Sequence, residues 1–141
     1  MPRRPERSGA DSRMVVTIEV VNRSGAEAEE EAAVEVAREV LSEEGLDEGE
    51  LGIAFVAPEE MRGLKREHLG VDEVTDALAF PLDGRDELPP GLPRQLGDVV
   101  LCPQVVGADW RGPLVHALLH LLGYDHGDAM EARELAHGET R

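Results

Sequence analysis

Aromatic residues are scarce in this 141-residue sequence, which contains two phenylalanines, one tryptophan and one tyrosine. So few rings exclude a platform on which successive nucleotide bases stack. The one cysteine, Cys102, excludes an internal disulfide. No apolar run approaches the roughly 20 residues that span a membrane, and residues 14–21 are too short and polar for a signal peptide's apolar region. We therefore expect a cytoplasmic protein with no membrane partner.

Positive charge is also scarce, because 14 Lys and Arg residues face 30 Asp and Glu residues, a formal charge of −16. Phosphates select basic surfaces, so the overall charge weakens a nucleic-acid interpretation. However, residues 27–50 alone contain eleven acids and one base, Arg38. A small basic cluster remains at Arg62, Lys65 and Arg66. A locally basic groove therefore stays possible, as does an ordinary solvated helix face.

The pattern along the chain predicts one domain, residues 14–141, after a disordered basic leader at residues 1–13. Strands are predicted at residues 14–21, 51–57, 75–81 and 96–102. Helices are predicted from a capping box at Ser24 and Glu27 to Gly45, then at 58–69, 113–122 and 130–137, with an exposed loop at 82–95. Strands and helices mix without strict alternation, so we expect an α+β fold with a small mixed sheet of about four strands and packed helices.

Residues 115–126 read VHALLHLLGYDH and contain three of the five histidines. On a helix, His116 and His120 share one face. Gly123 can adopt a left-handed backbone and end the helix, which lets His126 turn back as a third ligand. Three imidazoles with an open fourth position are typical of a catalytic zinc site, and Asp125 could orient one imidazole. Imidazoles also suit nickel, copper and iron.

Other residues with metal-binding or nucleophilic side chains receive ordinary interpretations. We expect His68 and His137 to be surface histidines and Cys102 to be a buried strand residue. The histidine spacing is that of the metzincin proteases, but Ala117 stands where their catalytic glutamate follows the first histidine. Without that general base the metal geometry must serve a chemistry other than peptide hydrolysis.

Three motifs, HALLHLLGYDH and the upstream TDALAFP and LGDVV, closely resemble those of the bacterial YbeY family, the zinc-dependent endoribonucleases of rRNA maturation. The likeness runs from about Val15 to the C-terminus. It implies a single metallohydrolase domain in which His116, His120 and His126 bind one Zn²⁺ per chain. The implied activity is single-strand-specific hydrolysis of RNA in the processing of the 3′ end of 16S rRNA and in ribosome quality control. The implied partners are rRNA, the small ribosomal subunit, ribosomal proteins and an assembly GTPase.

The sequence also departs from the family pattern. Leu69 stands where many members have an arginine that faces the substrate, and Arg66 or Lys65 is our candidate to replace it. The segment before His116 is shorter than usual, which predicts a truncated helix. In the mechanism we expect, zinc lowers the pKa of its bound water to about 7, while Arg66 or Lys65 neutralises phosphate charge. Asp76, like Asp125, is a candidate for orienting a ligand.

Two other functions remain open. An assembly factor with a mainly structural zinc would suit the acidic surface and the lost arginine. Metal-dependent hydrolysis of a small phosphoester would use the same metal chemistry. A fourth protein ligand would favour the assembly factor, whereas an open position would favour an enzyme.

Overall fold

The computed structural model of the chain describes residues 15–69, 77–84 and 86–124, together with 132, 134 and 137. Its strands are β1 (Val15–Asn22), β2 (Glu48–Phe55), β3 (Ala77–Pro81) and β4 (Gln95–Leu101). Its helices are α1 (Glu30–Glu43), α2 (Pro58–Leu69), α3 (Pro103–Val106) and α4 (Arg111–Leu121). Residues 132, 134 and 137 also have helical backbone, inside the helix predicted at 130–137.

The four strands form one mixed sheet in the order β1-β2-β4-β3. Strand β2 is parallel to both β1 and β4, whereas β3 is antiparallel to β4. The connections from β1 to β2 and from β2 to β3 each carry a helix, and the first of them joins two parallel strands, which requires such a crossover. The predicted α+β fold with a small mixed sheet is confirmed.

The central strand β2 separates two hydrophobic layers. Its alternate residues Leu51, Ile53 and Phe55 are buried on one face, where α1 and α4 pack. Ala54 faces the other side, where Met61 and Leu64 of α2 pack. The histidine helix α4 and the helix that carries Lys65 and Arg66 therefore lie on opposite faces of the sheet. No helix in the described ranges is long and apolar enough to cross a membrane.

Helix α1 buries an apolar stripe whose residues recur at spacings of three and four, but it begins later than predicted. The buried residues are Ala33, Val36, Ala37, Val40 and Leu41. The predicted capping box is wrong, because the helix begins at Glu30 and no side chain caps it. The Ser24 hydroxyl instead accepts a hydrogen bond from the Ala26 N–H at 3.0 Å. Ser24 thus closes a local turn, a role in which serine competes with helix capping.

Two smaller features follow β4. Cys102 is buried as predicted, although it lies just beyond the strand, where it precedes α3. Helix α3 has only four residues, Pro103–Val106, and Gly107 ends it with a φ of 58°. The segment before α4 thus holds a single helical turn, and its truncation relative to the family stays a prediction.

Candidate metal centre

Between Leu114 and Leu121, only the two histidines of helix α4 are partly exposed. The other side chains from Leu114 to Leu121 pack in the core, namely Leu114, Val115, Ala117, Leu118, Leu119 and Leu121. His116 and His120 are half-buried, and their ring centroids lie 4.7 Å apart with the planes at 76°. The rings form a T-shaped pair, in which the edge of one ring points at the face of the other, and they are close enough to bind one ion. The structure thus brings together two of the three predicted ligands.

The end of α4 supplies the turn that the sequence predicts. The Gly123 N–H donates to the His120 carbonyl at 3.1 Å, and the Tyr124 N–H donates to the Leu119 carbonyl at 3.0 Å. Gly123 has a φ of 101°, in the left-handed region that glycine adopts without steric cost. These two bonds form a Schellman motif, which stops the helix within one turn of His120. The chain therefore changes direction directly before the predicted third ligand.

His126 and Asp125, as well as Asp76, lie outside the described residues, so their proposed roles stay predictions. Among the residues that the structure describes, no three His, Cys, Asp or Glu side chains come together as a metal-binding group. A site with three protein ligands at His116 and His120 therefore requires a side chain from outside those ranges. The paired imidazoles fit zinc, since neutral histidine nitrogens are among its preferred ligands.

Glu134 is a site residue that the sequence analysis missed. Its Oε2 contacts Nδ1 of His116, and both side chains are about one-third exposed. Because Nδ1 is bound to a carboxylate, Nε2 is the nitrogen with which this ring would hold a metal. Eighteen residues separate the partners, so no helical spacing rule could have joined them. The only sequence signal was the predicted helix at 130–137.

His137 contradicts our expectation of a surface histidine, since it is fully buried at 0% exposure. Its Nε2 lies 2.8 Å from Glu44 Oε2. Its Nδ1 lies 2.7 Å from Glu43 Oε1, an ion-pair distance without hydrogen-bond alignment. The Tyr124 hydroxyl donates to the other Glu44 oxygen at 2.9 Å. Two carboxylates at the end of α1 thus make burial of this ring favourable, which no local pattern reveals.

The basic cluster on α2 is divided between core and solvent. Lys65 is buried, with a relative exposure of 8%, whereas Arg62 and Arg66 are exposed. Nearby, Arg23 donates to Glu60 at 2.7 Å, and this hydrogen bond raises the pKa of Arg23 above its usual value. Lys65 is thus no part of a solvated helix face. Arg66 is the better placed of our two candidates to meet a phosphate in solution.

These features define a small α+β domain with a candidate metal centre at the end of a core helix. The chain belongs to the YbeY family, because the family model described as Endoribonuclease YbeY matches residues 17–141. An Endoribonuclease YbeY from Salinispora tropica is 38% identical over 140 residues, which cover 85% of this chain and 89% of that protein. One from Rubrobacter xylanophilus is 38% identical over 133 residues, which cover 91% and 94%.

A solved structure supports the fold independently of these sequence relatives. The solution structure of TM1509 from Thermotoga maritima matches with a TM-score of 0.54 and covers 87% of each chain. The two sequences are 23% identical, so the likeness concerns the fold alone.

Proposed function

We propose that the chain is a zinc-dependent endoribonuclease that cleaves single-stranded rRNA. The observation that supports metal binding is the pair of adjacent imidazoles at His116 and His120, whose ring centroids lie 4.7 Å apart. Both residues lie on a helix that a glycine turn ends. The RNA part is supported by membership of a family whose members are described as endoribonucleases. Processing of the 16S rRNA 3′ end and ribosome quality control belong to the same proposal.

In this proposal His116, His120 and His126 hold the zinc ion, and Asp125 orients one of the imidazoles. Zinc, when bound, supplies Lewis-acid chemistry that activates water at neutral pH. Glu134 keeps the His116 ring in one orientation through Nδ1. Residues that flank His116 and His120 on α4 are buried in the core, so packing limits the movement of these two side chains.

The charge distribution directs RNA to one part of the surface. Helix α1 has a predominantly acidic exposed side, which repels a polyanion. Arg66, exposed on the opposite face of the sheet, attracts one, so in this proposal it binds a phosphate of the RNA away from the metal centre. Lys65 is buried and so makes a smaller contribution. The partners we propose are rRNA, the small ribosomal subunit, ribosomal proteins and an assembly GTPase, in the cytoplasm.

The decisive experiment combines metal content by mass spectrometry with cleavage of a single-stranded RNA oligomer, with and without chelator. We expect about one zinc per chain and chelator-sensitive cleavage. His120→Ala should lose both, because two imidazoles remain where three ligands are needed. Glu35→Ala, at an exposed position on α1, is the control and should retain both.

Each contrary outcome points elsewhere. RNA cleavage by zinc-free His120→Ala would refute the metal mechanism. Zinc without cleavage would favour the assembly factor with a structural metal, which the acidic surface also suits. Equal hydrolysis of RNA and a generic small phosphodiester would favour the small-phosphoester enzyme.

A further inference from the structure

The contact between Glu134 and His116 connects the candidate metal centre to the C-terminal part of the chain. A neutral imidazole has one N–H donor and one acceptor nitrogen. When the carboxylate accepts a hydrogen bond from Nδ1, the Nε2 lone pair points to the opposite edge of the ring. Both side chains are only about one-third exposed, so the bond is partly shielded from water. The carboxylate therefore selects both the tautomer and the direction of the ring.

Glu134 is held in place by a residue three positions further along. Residues 134 and 137 both have helical backbone, and residues three apart lie on the same side of a helix. His137 is fully buried between Glu43 and Glu44 at the end of α1. Docking of His137 into α1 therefore brings Glu134 towards α4, which packs beside α1.

Glu44 joins three parts of the chain through one buried carboxylate. Its side chain is 3% exposed. One oxygen accepts the Tyr124 hydroxyl at 2.9 Å, and the other lies 2.8 Å from His137 Nε2. A buried carboxylate is costly unless its oxygens are hydrogen-bonded, and here both are. Tyr124 directly follows Gly123, so the same carboxylate also anchors the turn that ends the histidine helix.

From these contacts we propose that Glu134 is a positioning residue of the metal centre, which orients His116 for metal binding, and that the buried His137–Glu44 pair fixes Glu134 in that position. The inference rests on the proposed metal-binding function. It adds a residue that acts through a ligand, and it assigns Glu134 and His137 a role in metal affinity.

The first test measures zinc affinity by competition with a chelator. Glu134→Ala should bind zinc about 10–100-fold more weakly than the unmodified chain, the range found when a ligand's hydrogen-bond partner is removed. Glu134→Gln should restore part of the affinity, because its amide oxygen can still accept the Nδ1–H bond. The control Glu35→Ala should leave the affinity unchanged. Equal zinc affinity of Glu134→Ala and the unmodified chain would overturn the proposal.

A spectroscopic readout separates positioning from general destabilisation. In zinc-loaded protein, the His116 Nδ1 proton should give a slowly exchanging NMR signal, because a carboxylate protects it. The signal should persist in Glu134→Gln and vanish in Glu134→Ala, while other core amide signals stay in place. Persistence of that proton signal in Glu134→Ala would show that another group binds Nδ1.

The second test concerns the buried pair. His137→Leu combined with Glu44→Gln removes the contact without leaving an uncompensated buried carboxylate, and the glutamine oxygen can still accept the Tyr124 hydroxyl. We expect the double variant to fold by circular dichroism but to bind zinc several-fold more weakly. Adding Glu134→Ala should then lower the affinity no further than Glu134→Ala does alone, since both changes disrupt one arrangement. Unchanged zinc affinity in the folded double variant would remove His137 and Glu44 from the proposal.

Failure of this inference is distinguishable from failure of the proposed function. If the unmodified chain binds no zinc, the metal function itself is wrong. If it binds zinc and cleaves RNA while Glu134→Ala does so equally well, only the role of Glu134 is wrong.

Discussion

Helices α1 and α4 end in the same way, although their exposed surfaces differ completely. Gly45 after α1 has a φ of 85°, and Gly123 after α4 has a φ of 101°. Each glycine is followed by a residue whose N–H returns to the helix, Leu46 to the Leu41 carbonyl at 2.9 Å and Tyr124 to the Leu119 carbonyl at 3.0 Å. Both helices bury their apolar residues in one core. The glycine turn is thus a general way to end a helix.

What differs is the polar content of each helix. The exposed side of α1 is acidic, with Glu30 and Glu31 in its first turn. Helix α4 is buried around most of its circumference and presents His116 and His120. The turn after the acidic helix leads into the start of β2, whereas the turn after α4 leads towards the predicted third ligand. The comparison teaches that the turn sets the path of the chain, while the residues before it determine the chemistry.

The largest stability effects should be the same in both helices. Leu41 in α1 and Leu118 in α4 are at most 1% exposed and share one core. Replacement of either by Ala should lower the free energy of unfolding by about 2–5 kcal/mol, because a buried leucine leaves a cavity. Urea denaturation measures both. A loss below about 1 kcal/mol for one of them would show that its helix packs less firmly than the structure indicates.

Substitution of the two glycines should separate stability from function. A Cβ added at Gly45 or Gly123 meets no heavy atom within 4 Å, so Ala costs only backbone strain at positive φ. Both variants should lose roughly 1–2 kcal/mol of stability. Only Gly123→Ala should also weaken zinc binding and RNA cleavage, because its turn leads towards His126. Equal zinc affinities in the two folded variants would contradict this assignment.

The smallest expected effect is on RNA binding, and it should distinguish Arg66 on one face of the sheet from Arg38 on the other. Arg66→Gln should weaken RNA binding and reduce the slope of log affinity against log salt by about 0.7, the value for one phosphate contact to single-stranded RNA. Arg38→Gln on α1 should leave that slope unchanged. Arg38 donates to the Val16 carbonyl at 2.7 Å, so its change can affect stability, and binding must be compared below both unfolding transitions. Equal slopes would argue against RNA contact at Arg66.

The elements of the fold were largely predictable, because their signals are local. β-Branched residues indicated the strand that is now β1, and an apolar repeat at spacings of three and four residues indicated α1. The start of α1 was predicted wrongly, since the turn at Ser24 uses the same side-chain chemistry as a helix cap. The order β1-β2-β4-β3 could not be predicted, because strand pairing joins segments that are distant in sequence.

In the candidate site, too, some features follow from local sequence and others from contacts between distant segments. By itself, the sequence determined the facing histidines on α4 and the glycine after them, since helical periodicity and the freedom of glycine at positive φ are local properties. Only the tertiary structure decided that Glu134 contacts His116, that His137 is buried against Glu44 and that Lys65 is buried while Arg66 is exposed. The physical reason is that burial and hydrogen-bond partners depend on which distant segments pack together. Local pattern therefore supplied the candidate ligands, and packing supplied the side chains that contact them.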